Sequence, residues 1–291
     1  MHVPVMLNEC LEYLGVRPDG VYLDVTCGLG GHTGAIARRL SSGYVISCDR
    51  DAESLDLAKA NTADVIDRIQ FQNASFPGIS TLLVGQALKS GGTSQVDGLL
   101  ADLGVSRYQL TAGERGFSLM SDGPLDMRMD RSQGRTAADI VNYESEKQLA
   151  DLIFKLGEER RSRRIARAIV RARPVSTTGQ LAKLIESAVP RTGKIHPATQ
   201  TFMALRIAVN EENEELEALL ASLTDLVKPG GRVVFLTFMS LEDRKVKQSF
   251  QALERSGRVR ILTRHVVRPS DEEIRDNPPS RSAKLRAIQI L

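Results

Sequence analysis

The residues best placed to do chemistry begin in LDVTCGLGGHTG, Leu23 to Gly34, where Gly28, Gly30, Gly31 and Gly34 follow a short apolar run ending in Asp24. A glycine loop of this kind lets a ligand come close to bare backbone. Two cofactor classes use such a loop after a first strand: dinucleotides set a pyrophosphate there, and S-adenosylmethionine lays its amino acid part against the glycines. The spacing here is GxGxxxG, because Thr33 precedes Gly34, and that match alone is weak. In both classes an acidic residue ending the second strand accepts hydrogen bonds from ribose hydroxyls, and Asp49, about twenty residues beyond the loop, fits. Ala74, Ser75 and Phe76 would end a third strand with a ring on which adenine could stack, which favours the methyl donor, although a core phenylalanine is the plainer reading of Phe76 alone. Asp102 ends a central strand, where ligands bind in open α/β sheets, and reads equally as cap or site.

Positioning these residues takes strands alternating with helices. VYLDVTC, YVISCD, RIQFQNA and VDGLLADL read as four strands, preceded by an amphipathic helix in VMLNECLEYL. TGAIARRL and DAESLDLAKANTADVID are helical patterns between them, the second capped by Asp51 or Ser54. Helical crossovers of this length predict an α/β fold with a parallel, doubly wound sheet. KPGGRVVFLTF gives a glycine turn and a fifth strand, LEDRKVKQSFQALERS a helix, and RVRILTRHV with SAKLRAIQIL a closing strand pair suited to an antiparallel edge. Between ADLGVS and KPGGRVVFLTF no strand run is convincing. The expectation is therefore an inserted helical domain over 109–206, with 1–108 and 207–291 building the sheet domain. Its first part, TAGERGFSLMSDGPLDMRMDRSQGRTAAD, is a long loop of the sort that is functional or disordered. Helices are expected near Glu144–Leu156, Glu158–Arg173 and Thr178–Ala188, then a long one from about Pro197 whose later part, EENEELEALLASLTDLV, packs back on the sheet.

A chain of 291 residues with 42% hydrophobic content can bury a core, and no apolar run is long enough to span a bilayer. The N-terminus lacks the build of a signal peptide, so a cytoplasmic protein is expected, with no membrane partner. Cys10, Cys27 and Cys48 form no CxxC pair and read as reduced, buried small residues. Asp122, Asp126 and Asp130 match no calcium-loop spacing and have arginines between them; they read as a solvated or salt-bridged loop, and no metal is expected. The net charge of +3 hides a local polycation from Lys155 to Arg173, opposed only by Glu158 and Glu159. A charge run is most simply a solvated helix face, but arginine's dominance over lysine tilts this one toward phosphate. Aromatic content of 4% without tryptophan argues against recognition by rows of stacked bases.

HVPVMLNECLEYL, DVTCGLGGHTGAI, DRD, GLLADLGVS, RGFSLMSDGPLDMRMD, RIARAIV, HPATQTFMALRIAVN, PGGR, SLEDRKVK and SRSAKLR occur in that order from His2 to about Arg286. Together they are similar to the bacterial small-subunit ribosomal RNA cytosine-N4 methyltransferases, and DGPLDMRMD and SLEDR are far more specific than a glycine pattern. The resemblance implies a class I, Rossmann-like, S-adenosylmethionine-dependent methyltransferase sheet with an inserted all-helical domain, which methylates the exocyclic N4 amine of a cytidine in the decoding region. It places cofactor contacts on Gly30, Gly31, His32, Asp49, Phe76, Asp102 and Gln109. Taken alone, His32 would read as a helix N-terminal polar residue or a satisfied surface histidine.

The pattern departs from the family at Leu29, Arg107, Tyr108 and Met239, and Met239 stands where the family usually has a histidine that could exchange a proton. Under the resemblance, Asp102 or the carbonyls of Leu103 and Gly104 would orient the amine for in-line transfer, while the DGPLDMRMD loop would shape the cytidine pocket. Arg160, Arg161, Arg163, Arg164 and Arg167 would hold phosphates of the small-subunit RNA, free or assembled, with some of them bound instead to Glu158 or Glu159. Two other classes remain. A nicotinamide-dependent oxidoreductase would use the same loop and Asp49, and a non-catalytic ribosome-assembly factor would keep the basic helix without an intact pocket. NPPS, Asn277 to Ser280, imitates a signature of amino-directed DNA methyltransferases but lies before the last strand, and reads as a rigid turn.

Overall fold

The computed structural model describes residues 4–90, 94–132, 134–191 and 196–291, without the side chains of 86–90. His2 and Val3, where the family resemblance begins, lie outside the described residues. The chain forms two compact units, Met1–Gly104 with Asn213–Leu291, and Val105–Glu212.

The first unit runs α1 (Leu7–Leu14), β1 (Val21–Asp24), α2 (Gly31–Ala37), β2 (Tyr44–Asp49), α3 (Ala52–Asn61), β3 (Ile69–Asn73), α4 (Phe76–Ser90) and β4 (Val96–Asp102). The second holds α5 (Arg107–Thr111), α6 (Ala137–Tyr143), α7 (Glu146–Gly157), α8 (Ser162–Ala172), α9 (Thr178–Ala188) and α10 (Thr199–Val209). The chain then returns through α11 (Glu212–Leu226), β5 (Val227–Thr237), α12 (Ser240–Arg255), β6 (Val259–Ile261), α13 (Asp271–Asp276) and β7 (Lys284–Ile290).

The seven strands are ordered β3-β2-β1-β4-β5-β7-β6. The first five are parallel, and β7 runs antiparallel between β5 and β6, as the closing strand pair leads one to expect. From β1 the chain winds outward through β2 and β3, then returns to the other side as β4, so the strand order reverses between β1 and β4. That reversal opens a crevice at their carboxyl ends. Successive residues alternate between two cores: Leu23, Leu99, Val233 and Phe235 face the leucines of α11 and Phe250, while Tyr22, Leu100, Val234 and Leu285 face α1. The strands are thus covered on both faces, which accounts for their near-continuous apolar runs.

Local departures have local causes. β1 stops at Asp24 rather than running to Cys27, because Asp24 accepts from the Thr26 backbone and turns the chain. Asp51 does cap α3, accepting from the Glu53 and Ser54 amides, but the helix ends at Asn61 and a 3-10 turn covers Ala63–Arg68. RVRILTRHV yields only the three-residue β6, and one isolated bridge follows it at Val267. NPPS lies in a 3-10 turn, Pro278–Ser282, leading into β7.

In the helical unit the expected helix from Glu158 begins at Ser162, because Glu158 adopts a left-handed φ of 54° that closes α7. α8 buries Ser162, Ile165, Ala166 and Ile169 at helical spacing against a core shared with Leu149, Ile153, Leu181 and Phe202. The long helix expected from Pro197 is two helices. Asn210 stops α10: its side chain donates to Met127 O at 2.8 Å and accepts from Met129 N–H at 2.7 Å, and Glu211 then takes a φ of 49°. The second piece, α11, does pack on the sheet through Leu216, Leu219, Leu223 and Leu226. The unit's bounds fall a few residues outside 109–206, since Arg206 grips Glu212 through two bonds of 2.7 and 2.8 Å.

Candidate active site

Asp102 lies at the carboxyl end of β4, next to the reversal in strand order. Its backbone N–H donates to Thr26 Oγ1 at 2.6 Å, which ties β4 to the turn after β1. One carboxylate oxygen, Oδ2, is 3.6 Å from His32 Nδ1; the other, Oδ1, is buried with no hydrogen-bond partner among the described residues. Such an orphaned acceptor is unusual, because burying a polar atom without a partner costs stability. About a quarter of the side chain, 26%, remains open. Burial pushes the Asp102 carboxyl up to about 6, against the pull of His32 and with a further push from Asp24.

His32 is the second residue of α2 and is buried. Its Nε2 is 3.0 Å from the carbonyl oxygen of Val5. A carbonyl only accepts, so Nε2 carries hydrogen and Nδ1 is the nitrogen that faces Asp102. A neutral Nδ1 lone pair against a carboxylate would repel; attraction needs one proton in the pair.

Asp49 ends β2. Its Oδ2 accepts from Gly28 N–H at 2.7 Å and its Oδ1 from Asp51 N–H at 2.9 Å, so the carboxylate braces the glycine loop from below. Each oxygen keeps a second lone pair for a hydroxyl donor. Burial lifts this carboxyl to about 6 although the two backbone donors oppose it.

The glycines answer to packing as well as to any ligand. Gly28 and Gly30 have φ of 51° and 82°, where a side chain is strained. A Cβ on Gly30 would come within 3.0 Å of Thr62 and 3.1 Å of Ala58, and one on Gly31 within 2.6 Å of Pro4. The loop is thus pressed against α3 and the N-terminal segment, leaving its other side to face the crevice.

Phe76 opens α4. Its N–H donates to Glu215 Oε2 at 2.8 Å, and its half-buried ring packs on the sheet core. Gln109 belongs to the helical unit, where it is buried and forms a capping box with Ser106 at the start of α5. Gly30, Gly31, His32, Asp49 and Asp102 are therefore gathered at one end of one sheet, with Phe76 on the neighbouring helix.

Two residues outside the expected set belong with them. Asp24, fully buried, accepts from Thr33 Oγ1 at 2.6 Å and from Thr26 N–H at 3.1 Å, and burial raises its pKa. Thr26 links it to Asp102. The signal was a strand-ending aspartate two residues before a threonine, directly ahead of the glycine loop.

Met239 caps α12 with its backbone, where Glu242 accepts from the Phe238 and Met239 amides. Asp243 holds Arg286 by two bonds, of 2.6 and 3.2 Å, and lies 3.6 Å from Lys284. The SLEDR and SRSAKLR segments thus meet to lock α12 onto β7.

In the helical unit Arg160, Arg163, Arg164 and Arg167 are exposed. Arg161 is turned away to Glu159 and the Pro190 carbonyl, and Arg167 lies 3.3 Å from Glu146. The DGPLDMRMD segment lines its own unit's interior: Leu125, Met127 and Met129 are core residues, and buried Arg115 donates to the carbonyls of Arg128 and Met129. Asp122 accepts from Gly179 N–H, Asp126 pairs with Arg128, and Asp130 accepts from Ser132. All three cysteines are free and buried. Among the described residues no helix is long and apolar enough to cross a membrane.

A family model described as the MraW methylase family matches residues 1–291. Among curated proteins, the "Ribosomal RNA small subunit methyltransferase H" of Solibacter usitatus is 60% identical over 290 residues, covering 100% of both chains. The protein of the same name from Acidobacterium capsulatum is 48% identical, covering 99% of this chain and 98% of its own. A solved structure described as a putative rRNA-methylase from Clostridium thermocellum covers 100% of both chains at 10% identity and a TM-score of 0.47, too distant to add to the topology.

Proposed function

The chain belongs to the MraW methylase family and is an S-adenosylmethionine-dependent methyltransferase, and on that premise we propose that it methylates the exocyclic N4 amine of a cytidine in the decoding region of small-subunit ribosomal RNA. The observation that carries the reading is the Asp102 carboxylate at the strand reversal, incompletely hydrogen-bonded and with a quarter of its side chain open. A carboxylate open to that extent in that place suits an amine that must present its hydrogens.

The residues fit the cofactor. Asp49 has lone pairs left for two ribose hydroxyls, and Gly30, Gly31 and His32 form the loop beside it. Phe76 is placed at the next strand end, and Gln109 enters on the family resemblance alone. S-adenosylmethionine, when bound, supplies a methyl group already activated on a sulfonium.

Cytosine's amine is a poor nucleophile because its lone pair is delocalised into the ring. Transfer forms the N–CH3 bond, breaks the methyl–sulfur bond and leaves the amine with a proton to lose. The Asp102 carboxylate would accept a hydrogen bond from that amine and hold its nitrogen in line. The proton would pass to the Asp102–His32 pair, which needs one and whose Nδ1 faces the carboxylate. His32 is kept in that orientation by the Val5 carbonyl. Met239 has no exchangeable proton, so no role at that position is required.

Arg160, Arg163, Arg164 and Arg167, with the partly exposed Arg161, are assigned to phosphates of the RNA or the assembled small subunit. The test is methyl transfer from labelled S-adenosylmethionine to unmodified small subunits and to their naked RNA, followed by nucleoside mass spectrometry. N4-methylcytidine from either supports the reading. A methylated nucleoside of another kind would overturn the target, and no transfer with cofactor binding intact would favour an assembly role.

A further inference from the structure

The carboxyl rim of the sheet continues beyond Asp102 to an edge with no role so far. β6 is antiparallel to β7 and β7 to β5, so β6 points the same way as β5, toward the active-site end. The chain leaving β6 rejoins the sheet at Val267, which bridges Leu285; Leu285 stands opposite Leu236, and Leu236 opposite Asp102. Val267 therefore shares a row with Asp102, three strand spacings or about 14 Å away.

Around it Arg264, His265 and Arg268 are exposed. Next to them a cavity of about 430 Å³ lies between α12 and β6, lined by Lys247, Gln251, Thr263, Arg264 and Arg286. Acids are present in this corner, Glu254 lining the cavity among them, but among the described residues none pairs with Lys247, Arg264 or Arg268. Glu254 accepts from Ile261 N–H at 2.9 Å, and Asp243 holds Arg286 and Lys284. Asp271 and Glu272, next along the chain, occupy the first turn of α13. Lys247, Arg264 and Arg268 make no ion pair among the described residues. The one aromatic lining the cavity, Phe250, is buried in the core, so nothing there offers a surface for stacking bases.

Building on the RNA-methylation reading above, we propose that Lys247, Arg264 and Arg268 hold phosphates of the RNA strand flanking the target nucleotide. Cations without ion-pair partners suit an anion, and Arg264 and Arg268 lie on either side of Val267, in the row of the reacting base. Arginine's planar fork matches phosphate oxygens, and a backbone contact needs no base recognition.

The test compares the wild-type chain with a Lys247→Ala, Arg264→Ala, Arg268→Ala variant and with an Arg264→Lys, Arg268→Lys variant. KM for naked small-subunit RNA and for assembled subunits is measured at several salt concentrations, with cofactor affinity by calorimetry as the check on folding. The triple variant should raise KM for both substrates by roughly tenfold or more, and flatten the slope of log affinity against log salt by about 2, from about 0.7 per single-strand phosphate contact. The lysine variant should keep most of the wild-type slope. An unchanged slope in the triple variant, while the wild type methylates normally, overturns the proposal and leaves the enzyme's reading intact. A loss confined to assembled subunits overturns it too, because the contact would then be with protein. A wild-type chain that methylates neither substrate removes the premise itself.

Discussion

Asp102 carries two predictions that pull in opposite directions. Asp102→Ala should lower single-turnover methyl transfer by about 100- to 1,000-fold, the usual cost of removing one group that meets developing charge. Full turnover at saturating cofactor would sink the carboxylate's role. Asp102→Asn should make the ligand-free protein more stable at neutral pH. The folded carboxyl titrates at about 6 against 3.8 unpaired, so both states are protonated below about pH 4, and the folded state is penalised as pH rises from there to about 6. The asparagine should therefore melt like the wild type near pH 4 and later than it at pH 7, by about 1 to 3 kcal/mol, reduced by the open quarter of the side chain. Equal melting at both pH values would refute this. Asp49 predicts the pH dependence of binding. Hydroxyls donating to its carboxylate favour the ionised form, so binding releases a proton and affinity should rise with pH up to about 6 and then level. Calorimetry at about pH 5 and pH 7 checks it, and Asp49→Asn should weaken binding and blunt the dependence. These carboxylates were legible because each closes an apolar run. Thr26 and Asp24 were harder to see, since their importance is a hydrogen bond to a residue on another strand. DGPLDMRMD and SLEDR, the segments that carry the family resemblance most specifically, hold the fold together: they cap helices, pair strands and fill a core.

Asn210 shows why element boundaries escape a sequence reading. Nothing in HPATQTFMALRIAVNEENEELEALL breaks the helical pattern, and the interruption depends on backbone groups at Met127 and Met129, far away in sequence. The start of α8 shifted for a similar reason, a left-handed Glu158 that no propensity announces. By contrast, the alternation of strands and helices, the parallel winding and the antiparallel closing pair follow from periodicity and were legible in advance. Asn210→Ala would strand the Met129 amide and the Met127 carbonyl in a buried place. The cost should be about 2 to 4 kcal/mol, one to two orphaned groups. Chemical denaturation followed by hydrogen exchange checks this, with the loss of protection centred on residues 105–212; an undiminished midpoint would show that water satisfies both groups.

At the scale of the whole molecule, the two units have separate cores, one built on the sheet and one on the helices. Unfolding should therefore depart from two-state behaviour. Calorimetry should resolve two transitions, with Asn210→Ala lowering one and bound cofactor raising the other; a single transition moved by both would contradict it. The order of the strands has another consequence, for synthesis. β4 ends at Asp102, but its neighbour β5 begins only at Val227, and β7, the final strand, belongs between β5 and β6. A chain emerging from its N-terminus can complete the helical unit while three of the seven strands are still unmade, and β6 has no partner until β7 is made. Loop closure over the long insertion adds little cost in free energy but delays pairing. The exposed flank of β4 is then a hazard during translation until β5 and β7 have been made.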